Sequence, residues 1–90
     1  MKITIIGCGL IGGSMALAFR RRRPEITVAC LDLPERLPAI REAGVADLVG
    51  TLQDTGSHVP ESAVVILATP VQTVLETIAR IKPFLRENTV

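Results

Sequence analysis

The sequence predicts a single α/β domain built on a doubly wound parallel sheet, and three observations lead to that fold class. Apolar runs rich in β-branched residues alternate with segments of helical periodicity along the whole chain. A glycine-rich segment joins the first apolar run to the first helical segment. Of the 90 residues, 48% are hydrophobic and only 2% aromatic, as expected for a small aliphatic core of buried strands and helices.

The first part of the chain is predicted as strand, helix and strand. Lys2 to Ile6 form the first strand, and the helix runs from Leu10 to about Arg22. A basic run, 20–23, and then Pro24 bring this helix to an end. The second strand is expected from Ile26 to Leu31.

A second helix is expected to run to about Ala43, with Gly44 just beyond its C-terminus. Its start is ambiguous, because Pro34 suits a first helical turn whereas Pro38 lacks an N–H that the helix needs one turn later. The helix therefore begins near Pro38 or bends there. Asp47 to Thr51 are predicted as a short third strand.

The rest of the chain is predicted as loop, strand, helix and the start of a strand. Residues 53–61 are polar and contain glycine and proline, which predicts a loop, whereas the apolar run 63–68 is typical of a central parallel strand. Residues 88–90 are expected to begin a fifth strand, giving the order 3-2-1-4 with that strand added. An amphipathic helix ended by Pro83 is predicted from five apolar residues at helical spacing: Val71, Val74, Leu75, Ile78 and Ile81.

Charge and hydropathy exclude several classes of partner. The net charge of +1 gives no field that would attract nucleic acid or an anionic membrane, and the basic run 20–23 is expected to be a solvated helix end. No secretion signal or membrane-spanning run is recognisable, so we expect a cytoplasmic protein. Cys8 and Cys30 are expected to be reduced, buried thiols; a disulfide between neighbouring strand ends is the alternative.

The segment Gly7 to Gly12 has the pattern G-x-G-x-x-G and joins the first strand to the first helix. In that setting Gly7 allows a tight turn, Gly9 lets the backbone approach a pyrophosphate, and Gly12 lets the helix pack closely against the sheet. Free N–H groups and the positive dipole end of the helix would face the phosphates. We therefore predict a Rossmann-like dinucleotide site; a glycine-rich turn without a ligand is the alternative.

Asp32 lies at the predicted carboxyl end of the second strand, about 20 residues beyond Gly12. A carboxylate at this place accepts hydrogen bonds from the adenosine ribose and repels a 2′-phosphate, which predicts NAD rather than NADP as the cofactor. Capping of the following helix is an alternative role that is compatible with the first. The guanidinium of Arg36 could partly restore NADP binding, although a solvated surface position is the simpler interpretation.

Residues 68–71 follow the fourth predicted strand. In open α/β sheets, ligands bind beyond the carboxyl ends of the strands, where the strand order reverses. We therefore expect Thr69, Pro70 and Val71 to line the nicotinamide or its ribose. An equally good and compatible interpretation is a strand-to-helix turn with Thr69 as N-cap and Pro70 as the first helical residue.

Other reactive side chains lack the neighbours that catalysis or metal binding would need. His58 lies in a polar segment without a catalytic pattern. The two cysteines have no Cys or His partners at the spacing of a metal site. Ser14 is expected to pack against its neighbours or to face the phosphates rather than to act as a nucleophile.

The glycine segment resembles the amino-terminal domain of the prephenate/arogenate dehydrogenase family, which shows G-x-G-L-I-G-G-S followed by a helix rich in Ala and Leu. Gly13 and Ser14 distinguish this pattern from most other dinucleotide folds. The resemblance covers essentially the whole chain, in these segments: GCGLIGGSMALAF at 7–19, LD at 31–32, AGVAD at 43–47, VILATPV at 65–71 and IKPFL at 81–85.

This resemblance implies the cofactor-binding portion of an NAD-dependent enzyme that oxidises prephenate or arogenate with loss of CO₂, on the way to tyrosine. The family's catalytic histidine, substrate-binding arginine and helical dimerisation domain have no counterpart in residues 1–90, so this domain alone is expected to be inactive and the full protein to be a homodimer. The implied cofactor contacts are Gly7, Gly9, Leu10, Ile11 and Gly12 for the pyrophosphate, Asp32 for the ribose, and Thr69, Pro70 and Val71 for the nicotinamide side.

Two other functions are compatible with the same motifs. One is a different NAD(P)-dependent reductase or hydroxyacid dehydrogenase that uses the same half-domain. The other is a non-catalytic module that binds NAD and senses the redox state.

Overall fold

The computed structural model describes residues 1–90 and contains one parallel sheet. Its strands are β1 (Lys2–Ile6), β2 (Thr27–Asp32), β3 (Leu48–Thr51) and β4 (Val64–Leu67). They pair in the order β3-β2-β1-β4, and every pair is parallel. The predicted doubly wound topology is therefore confirmed, and β2 begins and ends one residue later than predicted.

The helices are α1 (Leu10–Arg22), α2 (Leu37–Ala43), α3 (Thr55–His58) and α4 (Val71–Ile81). The first helix has the predicted bounds. A 3₁₀ turn at Pro34–Arg36 precedes α2, so Pro38 lies in the first turn of α2, where a missing N–H removes no helical hydrogen bond. The ambiguity over the two prolines is resolved in favour of a helix that begins close to Pro38.

Each face of the sheet has its own aliphatic core, because side chains alternate along β1. One core joins Ile3 and Ile5 to Ala16 of α1 and to Ile40 of α2. On the opposite face a second cluster contains Ile6, Leu31, Val59 and Ile81. The helices that follow β1 and β4 therefore cover opposite faces of the sheet, and the chain leaves these two neighbouring strands in opposite directions.

The segment 53–61 contains α3, so its prediction as a loop is wrong. A 3₁₀ turn at Leu52–Asp54 starts this helical stretch through a capping box. Asp54 Oδ2 accepts the Thr51 N–H at 2.8 Å, and Thr51 Oγ1 accepts the Gln53 N–H at 3.2 Å. Val59, just beyond α3, is fully buried. The capping and this burial outweigh the low helix propensity of the segment.

The face of α4 that packs against the sheet differs from the face that its apolar residues predict. Thr77 and Ile81 are buried, whereas Val71 is 86% and Leu75 is 78% exposed. The predicted helix exists, but much of its apolar stripe faces solvent. Pro83 lies in a 3₁₀ turn, Lys82–Phe84, that directly follows α4.

The last residue extends the sheet beyond β4. The Val90 N–H donates to the Ala63 carbonyl at 2.9 Å, and the Val90 carbonyl accepts the Val65 N–H at 2.8 Å. This alternation is the hydrogen-bond pattern of a parallel ladder, so Val90 pairs with β4 where a fifth strand is predicted to begin, although residues 88–90 themselves form no strand. None of the helices combines the length and hydropathy that a membrane-spanning segment requires.

Candidate functional site

The turn after β1 is built around Gly7. Its φ angle is +94°, and its N–H donates to the Leu31 carbonyl at 2.9 Å. A Cβ at this position would lie 2.7 Å from the carbonyl oxygen of Ala68, in the segment after β4. Only glycine can make this turn between two strands without strain, and the turn directs the chain out of the sheet into α1.

Gly12 sets how closely α1 approaches that turn. It is buried in the first turn of α1, and a Cβ there would overlap the Gly7 carbonyl oxygen and lie 3.3 Å from the Cβ of Ala68. The absence of a side chain therefore brings the start of α1 against the ends of β1 and β4. The packing role predicted for Gly12 is the one seen in the structure.

The N-terminus of α1 is open to solvent at Gly9. The first helical hydrogen bond runs from the Gly13 N–H to the Gly9 carbonyl at 2.8 Å, which leaves the N–H groups of residues 10–12 without helical acceptors. No acidic residue lies in the first turn, and a Cβ on Gly9 would meet only Nη1 of Arg36, at 3.5 Å. Free N–H groups and an uncompensated helix dipole make this surface suited to an anion such as a phosphate.

The hydroxyl of Ser14 does not add to this surface. Its Oγ donates to the Leu10 carbonyl one helical turn earlier, at 2.6 Å. The hydroxyl is thereby directed back along α1 rather than toward the position that an anion would take.

Asp32 closes the site on the β2 side. Its carboxylate is only 8% exposed: Oδ2 accepts the Cys8 N–H at 2.8 Å, and Oδ1 accepts the Leu33 N–H at 2.7 Å. Because each carboxylate oxygen can accept about two hydrogen bonds, acceptor capacity remains for hydroxyl donors. The alternative role as a helix cap is wrong, since the 3₁₀ turn that follows has no side-chain cap.

Cys8 contributes its backbone to the site and its side chain to the core. Its thiol donates to the Ile5 carbonyl at 3.7 Å and is 8% exposed. The neighbouring Cys30 thiol, followed by burial, raises the pKa of the Cys8 thiol. The Cys8 thiol therefore remains neutral and packs in the core, and Cys8 contributes to the site through its backbone N–H.

The segment after β4 forms the other wall of the site. Pro70 is the N-cap of α4 and Val71 its first residue, so the interpretation of Thr69 as N-cap is wrong. Instead, the Thr69 hydroxyl is buried without any hydrogen-bond partner. An unpaired buried hydroxyl costs roughly 1–3 kcal/mol, so this atom is suited to a ligand that would pair with it.

These pieces meet where β1 and β4 lie side by side. The helices that follow them cover opposite faces, and in open α/β sheets such a reversal of strand order is where a ligand crevice forms between the two strand ends. Exposed apolar side chains stand around it: Leu10 at 88%, Ile11 at 70% and Val71 at 86%. The predicted site residues thus lie at the carboxyl ends of β1, β2 and β4, on one edge of the sheet, with Asp32 at the β2 side.

His58 lies away from this crevice. Its Nδ1 accepts a hydrogen bond from Nζ of Lys2 at 2.8 Å, near the amino end of β1, whereas the crevice lies at the carboxyl ends. No group of three or more His, Cys, Asp or Glu side chains is arranged to hold a metal ion. The groups present at the crevice, which are free N–H groups, a carboxylate, an unpaired hydroxyl and apolar side chains, are suited to an anion, to hydroxyl groups and to an apolar surface.

Arg36 is exposed, so the interpretation of a solvated surface position is confirmed. The 3₁₀ turn after β2 also brings its Nη1 within 3.5 Å of the position of a Cβ on Gly9, a proximity that the sequence pattern does not predict.

Comparison with known proteins finds one matching family and two similar dehydrogenases. The model of the family described as NADP oxidoreductase, coenzyme F420-dependent, matches residues 2–90. A prephenate dehydrogenase of Lactococcus lactis subsp. cremoris (strain MG1363) is 32% identical over 83 residues, which cover 92% of this chain and 23% of that protein. A prephenate dehydrogenase of Bacillus subtilis (strain 168) is 40% identical over 82 residues, covering 83% of this chain and 20% of that protein.

A solved structure shares the fold. The crystal structure of prephenate dehydrogenase from A. aeolicus, in complex with hydroxyphenyl propionate and NAD⁺, superposes with a TM-score of 0.87 at 26% identity. The match covers 100% of this chain and 32% of that chain. The present chain therefore spans between 20% and 23% of the length of the curated relatives and 32% of the solved one.

Proposed function

We propose that this chain, which belongs to the family described as NADP oxidoreductase, coenzyme F420-dependent, is the cofactor-binding portion of an NAD-dependent prephenate or arogenate dehydrogenase. The likeness to two prephenate dehydrogenases supports this substrate class. The NAD⁺ in the A. aeolicus crystal structure supports the choice of cofactor.

The observation that carries the proposal is the hydrogen bond from the Cys8 N–H to Asp32 Oδ2. This bond places two groups side by side: a carboxylate that can accept hydrogen bonds from ribose hydroxyls, and a helix N-terminus that can bind phosphates. Ribose and pyrophosphate are adjacent groups in a dinucleotide, so one ligand would occupy both places. The carboxylate would repel a 2′-phosphate, which favours NAD.

On the phosphate side, the N–H groups of Leu10, Ile11 and Gly12 would donate to the pyrophosphate. Gly9 would let the phosphates approach the backbone, since a Cβ there would meet nothing but the tip of one flexible side chain. Gly7 and Gly12 would act through the shape of the turn.

On the other wall, Thr69, Pro70 and Val71 would lie along the nicotinamide and its ribose. The partnerless Thr69 hydroxyl would gain a hydrogen bond there, and the exposed side chain of Val71 would shield one side of the ring from water. When bound, the cofactor supplies a nicotinamide ring that accepts a hydride from the substrate. The work of this chain is to orient that ring and to keep water from it.

The proposal extends to the complete enzyme. Residues 1–90 would be its dinucleotide-binding domain, and groups outside them would bind the substrate and catalyse hydride transfer. The enzyme would be a cytoplasmic homodimer without nucleic-acid or membrane partners. The short share of the relatives' length that this chain matches supports this division.

Isothermal titration of the chain with NAD⁺ tests the proposal directly. Asp32→Asn should weaken NAD⁺ binding about tenfold, because an amide is a poorer acceptor for the ribose hydroxyls. Glu42→Gln, the same chemical change at an exposed position of α2, is the matched control and should leave the affinity unchanged. A folded chain that binds no NAD⁺, or equal effects of the two substitutions, would overturn the proposal.

A further inference from the structure

Two cysteine thiols lie together beneath the turn that follows β1. Cys30 lies within β2, where it pairs with Ile5 of β1, and the Cys8 thiol turns back to donate to the carbonyl of the same Ile5 at 3.7 Å. Both thiols are free, and both belong to one apolar cluster on the same face of the sheet. Because the neighbouring Cys30 thiol is also the main cause of the raised pKa of Cys8, the two sulfur atoms lie within interaction distance of each other.

An open groove gives small molecules access to this pair. It has a volume of about 300 Å³, lies between α1 and α2, and is lined by Cys8 together with apolar side chains that include Leu17 and Ala43. Cys8 is 8% exposed, whereas Cys30 is completely buried. A small uncharged oxidant such as hydrogen peroxide would therefore reach Cys8 first, and Cys30 is the thiol beside it.

A disulfide between these cysteines would disturb the hydrogen bond to Asp32. An S–S bond is about 2.05 Å long, which is shorter than any contact between two separate thiols. Cys30 is held in place, because β2 pairs with β1 on one side and with β3 on the other. The turn that carries Cys8 must therefore shift, and with it the Cys8 N–H that donates to Asp32 Oδ2 at 2.8 Å.

We propose that Cys8 and Cys30 form a reversible disulfide in the presence of peroxide, and that this disulfide weakens NAD⁺ binding by displacing the donor that positions Asp32. The weakening of NAD⁺ binding rests on the proposed function, whereas formation of the disulfide does not. The pair is thus a modification site that lies beside the cofactor site and is reached from a different surface of the domain.

The chemistry takes two steps. Hydrogen peroxide oxidises the Cys8 thiol to a sulfenic acid: the O–O bond breaks, an S–O bond forms, and one water is released. The Cys30 sulfur then attacks the Cys8 sulfur, and the hydroxyl leaves as a second water with the proton of Cys30. The two thiols lose two electrons, and the peroxide gains them. Because the pKa of Cys8 is raised, little thiolate is present, so the first step is slow and requires excess peroxide.

The test treats the folded chain with excess hydrogen peroxide, identifies disulfides by mass spectrometry of its peptides, and measures NAD⁺ affinity by isothermal titration. The unsubstituted chain should form the Cys8–Cys30 disulfide and bind NAD⁺ about tenfold more weakly, and dithiothreitol should restore the affinity. Cys8→Ala and Cys30→Ala each remove one partner and should show no loss of affinity that dithiothreitol reverses. Met1 and Met15 gain oxygen in every variant, and dithiothreitol does not reverse that change.

The remaining outcomes separate this inference from the proposed function. The disulfide switch is overturned, while the proposed function stands, if peroxide leaves both thiols free, if it joins two chains instead, or if Cys30→Ala loses affinity as the unsubstituted chain does. A disulfide that forms without a change in NAD⁺ affinity overturns it as well. If the reduced, folded chain binds no NAD⁺, the proposed function fails and the switch falls with it. Thermal unfolding of the reduced variants establishes that both are folded.

Discussion

The backbone N–H of Cys8 donates a hydrogen bond to Oδ2 of Asp32 across 2.8 Å. This bond joins the turn after β1 to the end of β2, and both groups are more than nine-tenths buried. Because Oδ1 of the same carboxylate accepts the Leu33 N–H, Asp32 also fixes the start of the next turn. The Asp32 side chain therefore fixes the conformation of two backbone segments, in addition to any hydrogen bonds that it makes with a ligand.

Asp32→Ala is expected to lower the free energy of unfolding by roughly 2–4 kcal/mol. It would leave two buried N–H donors without acceptors, and hydrogen bonds to charged groups contribute about 1.5–3 kcal/mol each. Urea unfolding at neutral pH measures the change. Glu42→Ala, on the surface of α2, should stay within about 0.5 kcal/mol of the unsubstituted chain. Comparable losses in the two variants would contradict the structural role of the carboxylate.

Gly12→Ala and Gly13→Ala should act in opposite directions. A Cβ on Gly12 would overlap the Gly7 carbonyl oxygen, so α1 must move away and stability should drop by about 2 kcal/mol. A Cβ on Gly13 would lie 3.4 Å from the Cys8 carbonyl oxygen, an ordinary contact, and alanine should stabilise the helix by about 0.5–1 kcal/mol. Thermal unfolding of both variants measures the direction of each stability change. Destabilisation by Gly13→Ala would contradict the distance between α1 and the turn after β1 that the structure shows.

Replacing two different threonines with valine should also change stability in opposite directions. Thr69→Val replaces a buried hydroxyl that has no partner, so it should stabilise the ligand-free chain by up to about 1 kcal/mol and weaken NAD⁺ binding. Thr4→Val removes a buried hydroxyl that bonds to Ser62 Oγ at 2.6 Å, and should cost roughly 1–2 kcal/mol. Urea unfolding and titration with NAD⁺ provide both readouts. Equal destabilisation by the two substitutions would mean that the Thr69 hydroxyl has a partner in solution.

Stability should fall in mildly acidic solution because of His58. Burial and the ammonium of Lys2 lower the pKa of His58 from 6.5, so the unfolded chain takes up this proton more readily than the folded one. The contribution of neutral His58 is therefore complete above about pH 6.5 and is lost as the pH falls from there through the lowered pKa.

Unfolding in urea at about pH 7.5 and about pH 5.5 measures this effect. His58→Gln keeps an acceptor for Lys2 but cannot titrate, so it should lose less stability between the two conditions than the unsubstituted chain. The two proteins differ only at position 58, so contributions from every other group cancel in the comparison. An identical loss in both would remove His58 as the cause.

The features that the sequence predicted correctly depend on local backbone geometry. Gly7 and Gly12 can be predicted because a tight turn and a close backbone contact require glycine at a fixed spacing. Asp32 can be predicted because β2 ends at that residue. The strand order follows from the alternation of strands and helices together with the handedness of crossovers.

The features that it missed depend on tertiary contacts. α3 forms in a polar segment because Val59 is buried beyond it, and no local pattern reveals that burial. In α4, Thr77 is buried while Leu75 faces solvent, since the direction of the chain after Pro70 decides which side meets the sheet. The position of Arg36 over Gly9 likewise follows from a 3₁₀ turn that propensity does not specify.

The central place of β1 has a kinetic consequence. Ile3 pairs with Val64, and the turn at Gly7 is enclosed by Ala68, so its final shape requires segments about 60 residues apart to have met. Parallel strands joined by crossovers form such distant pairings slowly. During synthesis, the first residues to emerge therefore wait for β4, and we expect the crevice to be among the last parts of the chain to become protected from hydrogen exchange.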